Sequence, residues 1–171
     1  TPVVKDKGVA SVTFWHKRVA PTIMPSLIEE PISFILNGIP WTGTIDLTDD
    51  EDRVRDYKFV SKTPANADSY LLNMVGYAIG FREKTGRIES QIVVDHIVGL
   101  KTPTYVPIRS NGPVSDTSIV AFADIVESAS RSISAGIFPP NGLKSGACSW
   151  CGYRDICPAY KESPTMGATH G

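Results

Sequence analysis

Between Gly43 and Lys58 the chain reads GTIDLTDDEDRVRDYK, and three of its side chains have the types and spacing for hydrolytic chemistry. Asp46 stands near the end of one strand-like segment. Asp56 stands in the next, two residues before Lys58. If these segments pair about an acidic turn at Asp49, Asp50, Glu51 and Asp52, their far ends approach each other. Two carboxylates in a small space repel, so each resists ionising, and a divalent cation removes that penalty. Mg²⁺ takes oxygen ligands and keeps several waters, so Asp46, Asp56 and the backbone carbonyl of Tyr57 are a sufficient protein contribution; Mn²⁺ is the alternative. Alternate residues of a strand share a face, so Asp56 and Lys58 project together while Tyr57 turns into the core. A lysine in that position can polarise a water or stabilise charge growing on a phosphate. The set suits phosphodiester hydrolysis. Asp49, Asp50, Glu51 and Asp52 read instead as a solvated turn.

A second constellation lies near the other end. Cys148, Cys151 and Cys157 form C-x2-C-x5-C followed by proline. Thiolates select soft metals, so this is a separate site from the carboxylates, either an iron–sulphur cluster or zinc. Three cysteines packed this closely make a poor disulfide framework and point to a reducing, cytoplasmic setting.

The positioning elements follow from apolar spacing and turn residues. Val9 to Ala20 reads as a helix stopped by Pro21. Ile28 to Leu36 and Ile39 to Leu47 read as strands joined by an Asn37-Gly38 hairpin turn. Arg53 to Val60 is a third strand. Ser69 to Lys84 is a helix with Leu72, Val75, Ile79 and Leu71 inward. Arg87 to Leu100 and Thr104 to Ile108 are strands, and Asp116 to Ala135 is an amphipathic helix with Ile119, Phe122, Ile125, Val126, Ala129 and Ile133 inward. The expected fold class is α/β (α+β), a central mixed sheet flanked by helices.

The 171 residues carry 17 basic and 18 acidic side chains, for a formal net charge of −1. Bulk charge therefore selects no partner, and nucleic acid would have to meet a local basic patch. Lys62, Arg82, Lys84 and Arg87 are candidates for phosphate contacts, or equally a solvated surface. No apolar run reaches membrane-span length. The length suggests one domain over 1–171, with a core of about 28–136, a cysteine segment at 137–160 and a frayed, disordered tail at 161–171.

The order Gly43-x-x-Asp46, Asp56-x-Lys58 and then a helix with Asn73 and Tyr77 resembles the PD-(D/E)XK nuclease superfamily, most closely its RecB/AddB-type branch and the CRISPR-associated iron–sulphur exonucleases. The likeness covers about Glu29 to Ala159. It implies a restriction-endonuclease-like core and a Mg²⁺- or Mn²⁺-dependent deoxyribonuclease. Asp46 and Asp56 would bind metal and Lys58 would assist catalysis. Asn73 and Tyr77 would stand for a helical Gln-x-x-x-Tyr motif, with Asn one methylene shorter than the usual Gln. The family's first-motif His or Glu is matched by His16 or Glu30, or lies upstream of Thr1. The likeness also implies a 4Fe–4S cluster on Cys148, Cys151 and Cys157, with a fourth ligand outside this chain; His170 could complete a zinc site instead. Expected partners are DNA, single-stranded or with free ends, and a helicase or CRISPR integrase. The alternatives are a catalytically impaired nucleic-acid-binding module and a zinc-binding interaction domain.

Overall fold

Five strands and three helices carry the chain from Pro2 to Ser134 in a computed structural model that describes residues 2–66, 68–137, 148 and 151–157, with the side chains of 2–4 and 69 outside the description. Helix α1 spans Pro2–Arg18. Strands β1 (Pro25–Leu36), β2 (Ile39–Asp49) and β3 (Arg53–Val60) follow. Helix α2 (Leu71–Thr85), strands β4 (Gln91–Val98) and β5 (Thr104–Arg109), and helix α3 (Asp116–Ser134) complete the order. The chain divides into two compact units, Thr1–Ser128 and Ala129–Gly171. The first holds the whole sheet. Most of the expected cysteine segment at 137–160 and the tail at 161–171 lie outside the described residues.

The sheet order is β1-β2-β3-β4-β5. The β1–β2, β2–β3 and β4–β5 neighbours are antiparallel, and β3–β4 is parallel, with α2 as the crossover. The sheet is therefore mixed, as the sequence predicts. Asn37 and Gly38 have φ of 50° and 76°, the left-handed pair that a tight two-residue hairpin requires. Helix α2 ends where Gly86, at φ 68°, donates its N–H to the Arg82 carbonyl at 2.8 Å.

One face of the sheet supplies Ile32, Phe34, Ile45, Val54, Ile92 and Val94. They pack with Met74, Val75, Ala78, Ile79 and Phe81 of α2 and with Phe122 of α3. A smaller cluster of Val19, Ile23 and Leu47 gathers Phe14, Trp15, Tyr57 and Tyr105. Gly80 lets α2 approach β1: a Cβ there would stand 2.2 Å from Ile32 Cδ1 and 2.9 Å from its Cβ. Gly76 opens the same kind of space for the Trp41 ring.

Three expectations about packing change. Leu71 and Leu72 are exposed, and the buried face of α2 runs through Met74, Val75, Ala78, Ile79 and Phe81. Ile125, Ala129 and Ile133 are likewise exposed on α3, while Phe122 and Ala123 are buried. Asp49 is not part of a solvated turn. It is fully buried and accepts Arg53 Nε at 2.7 Å and Arg55 Nη1 at 2.9 Å. Burial alone would push its pKa up, but these arginines, with the Arg53 backbone N–H at 3.0 Å, hold it below the ordinary carboxylate value.

Candidate active site

The β2–β3 ladder is short, and where it stops the carboxylates begin. Its paired residues are Leu47 with Arg55 and Thr48 with Val54. One position further, the Asp46 side chain takes over: its Oδ2 accepts the Tyr57 backbone N–H at 2.9 Å. Asp46 also sits at a break in the pleat. Its neighbours Ile45 and Leu47 belong to different core clusters, although residues two apart on a regular strand share a face. Opposite, Glu29 is the missing rung between Ile28–Leu47 and Glu30–Ile45, and its φ is 48°. This local twist, together with the parting of β2 from β3, brings Asp46 to the split between the strands.

Asp56 follows Val54 on the α2-facing side of β3 and is buried. Lys58 Nζ lies 2.6 Å from Asp56 Oδ2, so the alternation expected for Asp56 and Lys58 is present. The ammonium meets that oxygen by distance but not along a hydrogen-bond direction, so the buried Oδ2 has no aligned donor among the described residues. Burial raises the Asp56 pKa above the ordinary carboxylate value. The charges of Asp46 and Asp95 act in the same direction, and burial, the largest influence, prevails over the nearby ammonium of Lys58.

Tyr77 joins the group from α2. Burial raises its phenol pKa, and the negative charges of Asp56 and Asp46 raise it further. Its ring edge also comes within reach of Gly43, where a Cβ would lie 3.4 Å from Cε1. Asp46, Asp56, Lys58 and Tyr77 therefore form one electrostatic group. Asn73 is exposed one turn earlier on α2. His16 is exposed on α1, and it is not among the groups that act on Asp56 or Tyr77. Glu30 pairs with Lys84.

Several basic residues expected to meet phosphate have protein partners. Arg82 binds buried Glu89 through Nε at 2.7 Å and also donates to the Val114 carbonyl at 2.7 Å. Arg87 pairs with Asp52 at 3.0 Å, and Lys84 pairs with Glu30. Lys62 is exposed.

The sequence also left neighbours of Lys58 unassigned. Tyr70, just before α2, places its ring 5.5 Å beneath the Lys58 ammonium, within cation–π range. His96 stands opposite Lys58 in the β3–β4 register and lies 5.6 Å from Tyr70, ring to ring. It is fully buried, with Nδ1 3.3 Å from the Val106 carbonyl and Nε2 without a partner among the described residues. Asp95, one residue earlier, holds Arg55 Nε at 2.9 Å and Tyr105 Oη at 2.6 Å on the other face. The parallel pairing of β3 with β4 brings Asp95 and His96 here, and only the polar pair Asp-His inside an apolar strand hinted at it.

The donor chemistry fits a hard divalent cation. Two carboxylates adjoin, one has a desolvated oxygen without an aligned donor, and their charges oppose each other. Among the described residues no three His, Cys, Asp or Glu side chains converge on one point, so protein ligands beyond Asp46 and Asp56 would be backbone oxygens. Cys151 is exposed, and among the described residues Cys148, Cys151 and Cys157 do not gather as a ligand set. This arrangement gives the iron–sulphur expectation no support. No described helix is long and apolar enough to cross a membrane.

Comparison with known proteins bears on the fold and the family. A proposed exonuclease from Eubacterium rectale shares the fold with a TM-score of 0.63 at 11% identity, over 95% of this chain and 61% of its own. The protein SSO0001 does so with a TM-score of 0.52 at 14% identity, over 94% of this chain and 72% of its own. The chain thus spans about three fifths of the first of these proteins. No curated protein matches the sequence. The profile of the PD-(D/E)XK nuclease superfamily matches residues 5–158, most of the chain. With that match, the chain belongs to the PD-(D/E)XK nuclease superfamily.

Proposed function

We propose that this chain is a divalent-cation-dependent nuclease that hydrolyses DNA phosphodiester bonds. The observation that carries the proposal is the single charge group of Asp46, Asp56 and Lys58 at the end of the β2–β3 ladder. Asp46 and Asp56, with the Tyr57 carbonyl, would hold Mg²⁺ or Mn²⁺. The cation would supply Lewis acidity toward a phosphoryl oxygen.

The chain's own groups do the rest. Asp46 is oriented by the Tyr57 N–H, so one carboxylate oxygen is committed to the backbone and the other is left for binding. Lys58, held between Asp56 and the Tyr70 ring, presents its ammonium where an attacking water must be ordered and where negative charge grows on the phosphate. Tyr77 adjoins the two carboxylates from α2, close enough for their charges to act on its phenol.

Cleavage of a 5′-labelled DNA strand with Mn²⁺, followed on a denaturing gel, tests this. The parent chain cuts. Lys58→Ala and Asp56→Asn lose at least about a hundredfold in rate, the scale of removing one electrostatic contact to a transition state, while their circular dichroism matches the parent. Parent-level cutting by both variants removes the assignment. Exposed Asn73 and the absence of a third converging acid among the described residues favour a second reading, a nucleic-acid-binding module without activity. It predicts DNA binding with no cutting by the parent under any divalent cation.

A further inference from the structure

A cleft of about 390 Å³ opens between α1 and strands β1 to β3, and Asp46 forms part of its wall. Its apolar lining comes from Val12 and Trp15 of α1, Ile28 of β1, Leu47 of β2 and Tyr57 and Phe59 of β3. Its volume falls in the roughly 300–1,000 Å³ range of small-ligand sites. Three aromatic rings line it. Trp15 meets Tyr57 edge-on at 5.5 Å, which fixes both rings, while Phe59 stays 55% exposed. Val12 and Ile28 are also exposed. Trp15 buries its indole N–H without an acceptor among the described residues. Asp46 and the exposed Glu29 place carboxylates on the rim.

These features narrow the occupant. A segment seated permanently in this cleft would cover Asp46, so the occupant has to arrive and leave with the substrate. Its body has to be flat and apolar to lie on aromatic rings, with N–H hydrogens for the rim carboxylates. A nucleobase has all of these. In a duplex the base faces are stacked and the pairing edge is occupied, so the base has to be unpaired.

We propose that the cleft between Trp15, Ile28 and Phe59 is a subsite for an unpaired nucleobase of the strand whose phosphate lies at Asp46. It rests on the nuclease reading of that site and adds a substrate form to it: the strand is single at the point of entry. Phe59 and Trp15 are binding residues here and have no part in bond cleavage.

The test is fluorescence anisotropy with three labelled DNAs of equal length: a single strand of mixed sequence, the same strand with abasic sites, and a blunt duplex hairpin. Ca²⁺ replaces Mn²⁺ to hold binding apart from cutting. The parent should bind the base-bearing strand about tenfold or more tighter than the abasic one, as stacking of a single base on an aromatic ring supplies. Phe59→Ala, at a position too exposed to threaten the fold, should lose about that factor on the base-bearing strand and nothing on the abasic strand. Trp15→Phe, which keeps a ring against Tyr57 but shrinks the aromatic surface of the cleft, should weaken the base-bearing strand alone. Equal binding of base-bearing and abasic strands by the parent overturns the inference, and so does a Phe59→Ala variant that binds all three DNAs like the parent. Cutting with Mn²⁺ is scored separately. A parent that discriminates bases but does not cut keeps the subsite and loses the nuclease reading. A parent that cuts but does not discriminate loses the subsite alone.

Discussion

Arg55 donates to Asp49 at 2.9 Å with both side chains out of solvent, so an aspartate from the acidic run at the β2–β3 turn is part of the interior. Asp49 and Asp56 are both buried, yet their pKa values move in opposite directions. Asp49 is held down, so the stability it contributes is present above its unfolded pKa and is lost as pH falls through its lower folded value. Asp56 is pushed up, so the folded chain binds its proton more readily than the unfolded chain, and stability falls as pH rises from the unfolded to the folded value. At neutral pH without divalent cations, Asp49→Asn should therefore lower stability by about 3–5 kcal/mol, because Arg53 and Arg55 lose a buried partner. Asp56→Asn should raise it, with the gain vanishing in acid. Urea melts across pH check both signs.

Divalent cations should act on the fold as well as on activity. Mn²⁺ at about a hundred times its dissociation constant should stabilise the parent by about 2.7 kcal/mol. Asp46→Asn and Asp56→Asn should each abolish the shift, and Asp49→Asn should retain it. Differential scanning fluorimetry reads this without DNA.

Arg82 belongs to the interior and not to a phosphate-binding surface. It neutralises Glu89, which is fully buried and also accepts the Val114 N–H at 2.8 Å. Its guanidinium pKa is raised, first by the hydrogen bond to Glu89. Arg82→Ala should cost about 3–5 kcal/mol by leaving a buried carboxylate unpaired. The slope of DNA affinity against salt, measured on the folded fraction, should stay as in the parent, whereas a phosphate contact would reduce it by about one.

Two glycines should respond oppositely to the same substitution. Gly8 lies inside α1 with nothing within 4 Å of a Cβ position, so Gly8→Ala should stabilise by up to about 1 kcal/mol through helix propensity. Gly80→Ala has the same propensity gain, but its Cβ would fall 2.2 Å from Ile32 Cδ1. Overpacking of that kind costs about 1–3 kcal/mol, so a net loss should appear in thermal melts.

What could be read in advance depended on how local the cause was. The Asn37-Gly38 turn and the shared face of Asp56 and Lys58 follow from neighbouring residues, and both were legible. The inward turn of Tyr57 followed from the same alternation. Asp49 was misread because its partners, Arg53 and Arg55, lie beyond the turn on the next strand, and composition alone makes four acids look solvated. On α2, Val75 and Ile79 are inward as their spacing predicts, but Leu71 and Leu72 are not, because the helix comes closest to Trp41 and Ile32 at the small residues Gly76 and Gly80. Tyr70 and His96 were missed because only the parallel register of β3 on β4 and the approach of α2 set them beside Lys58.

That parallel register also sets an order of assembly. The β1–β2 hairpin closes over two residues and can form early, while β3 gains β4 only after α2 has been laid across. Asp46 and Asp56 both precede that crossover, but only the rungs Leu47–Arg55 and Thr48–Val54 join their strands, so a partly folded chain without β4 holds them together weakly. Like-charge repulsion is then met only once the long-range contacts that outweigh it are in place. Divalent ions should accordingly slow unfolding and leave the early steps of refolding at their original rate.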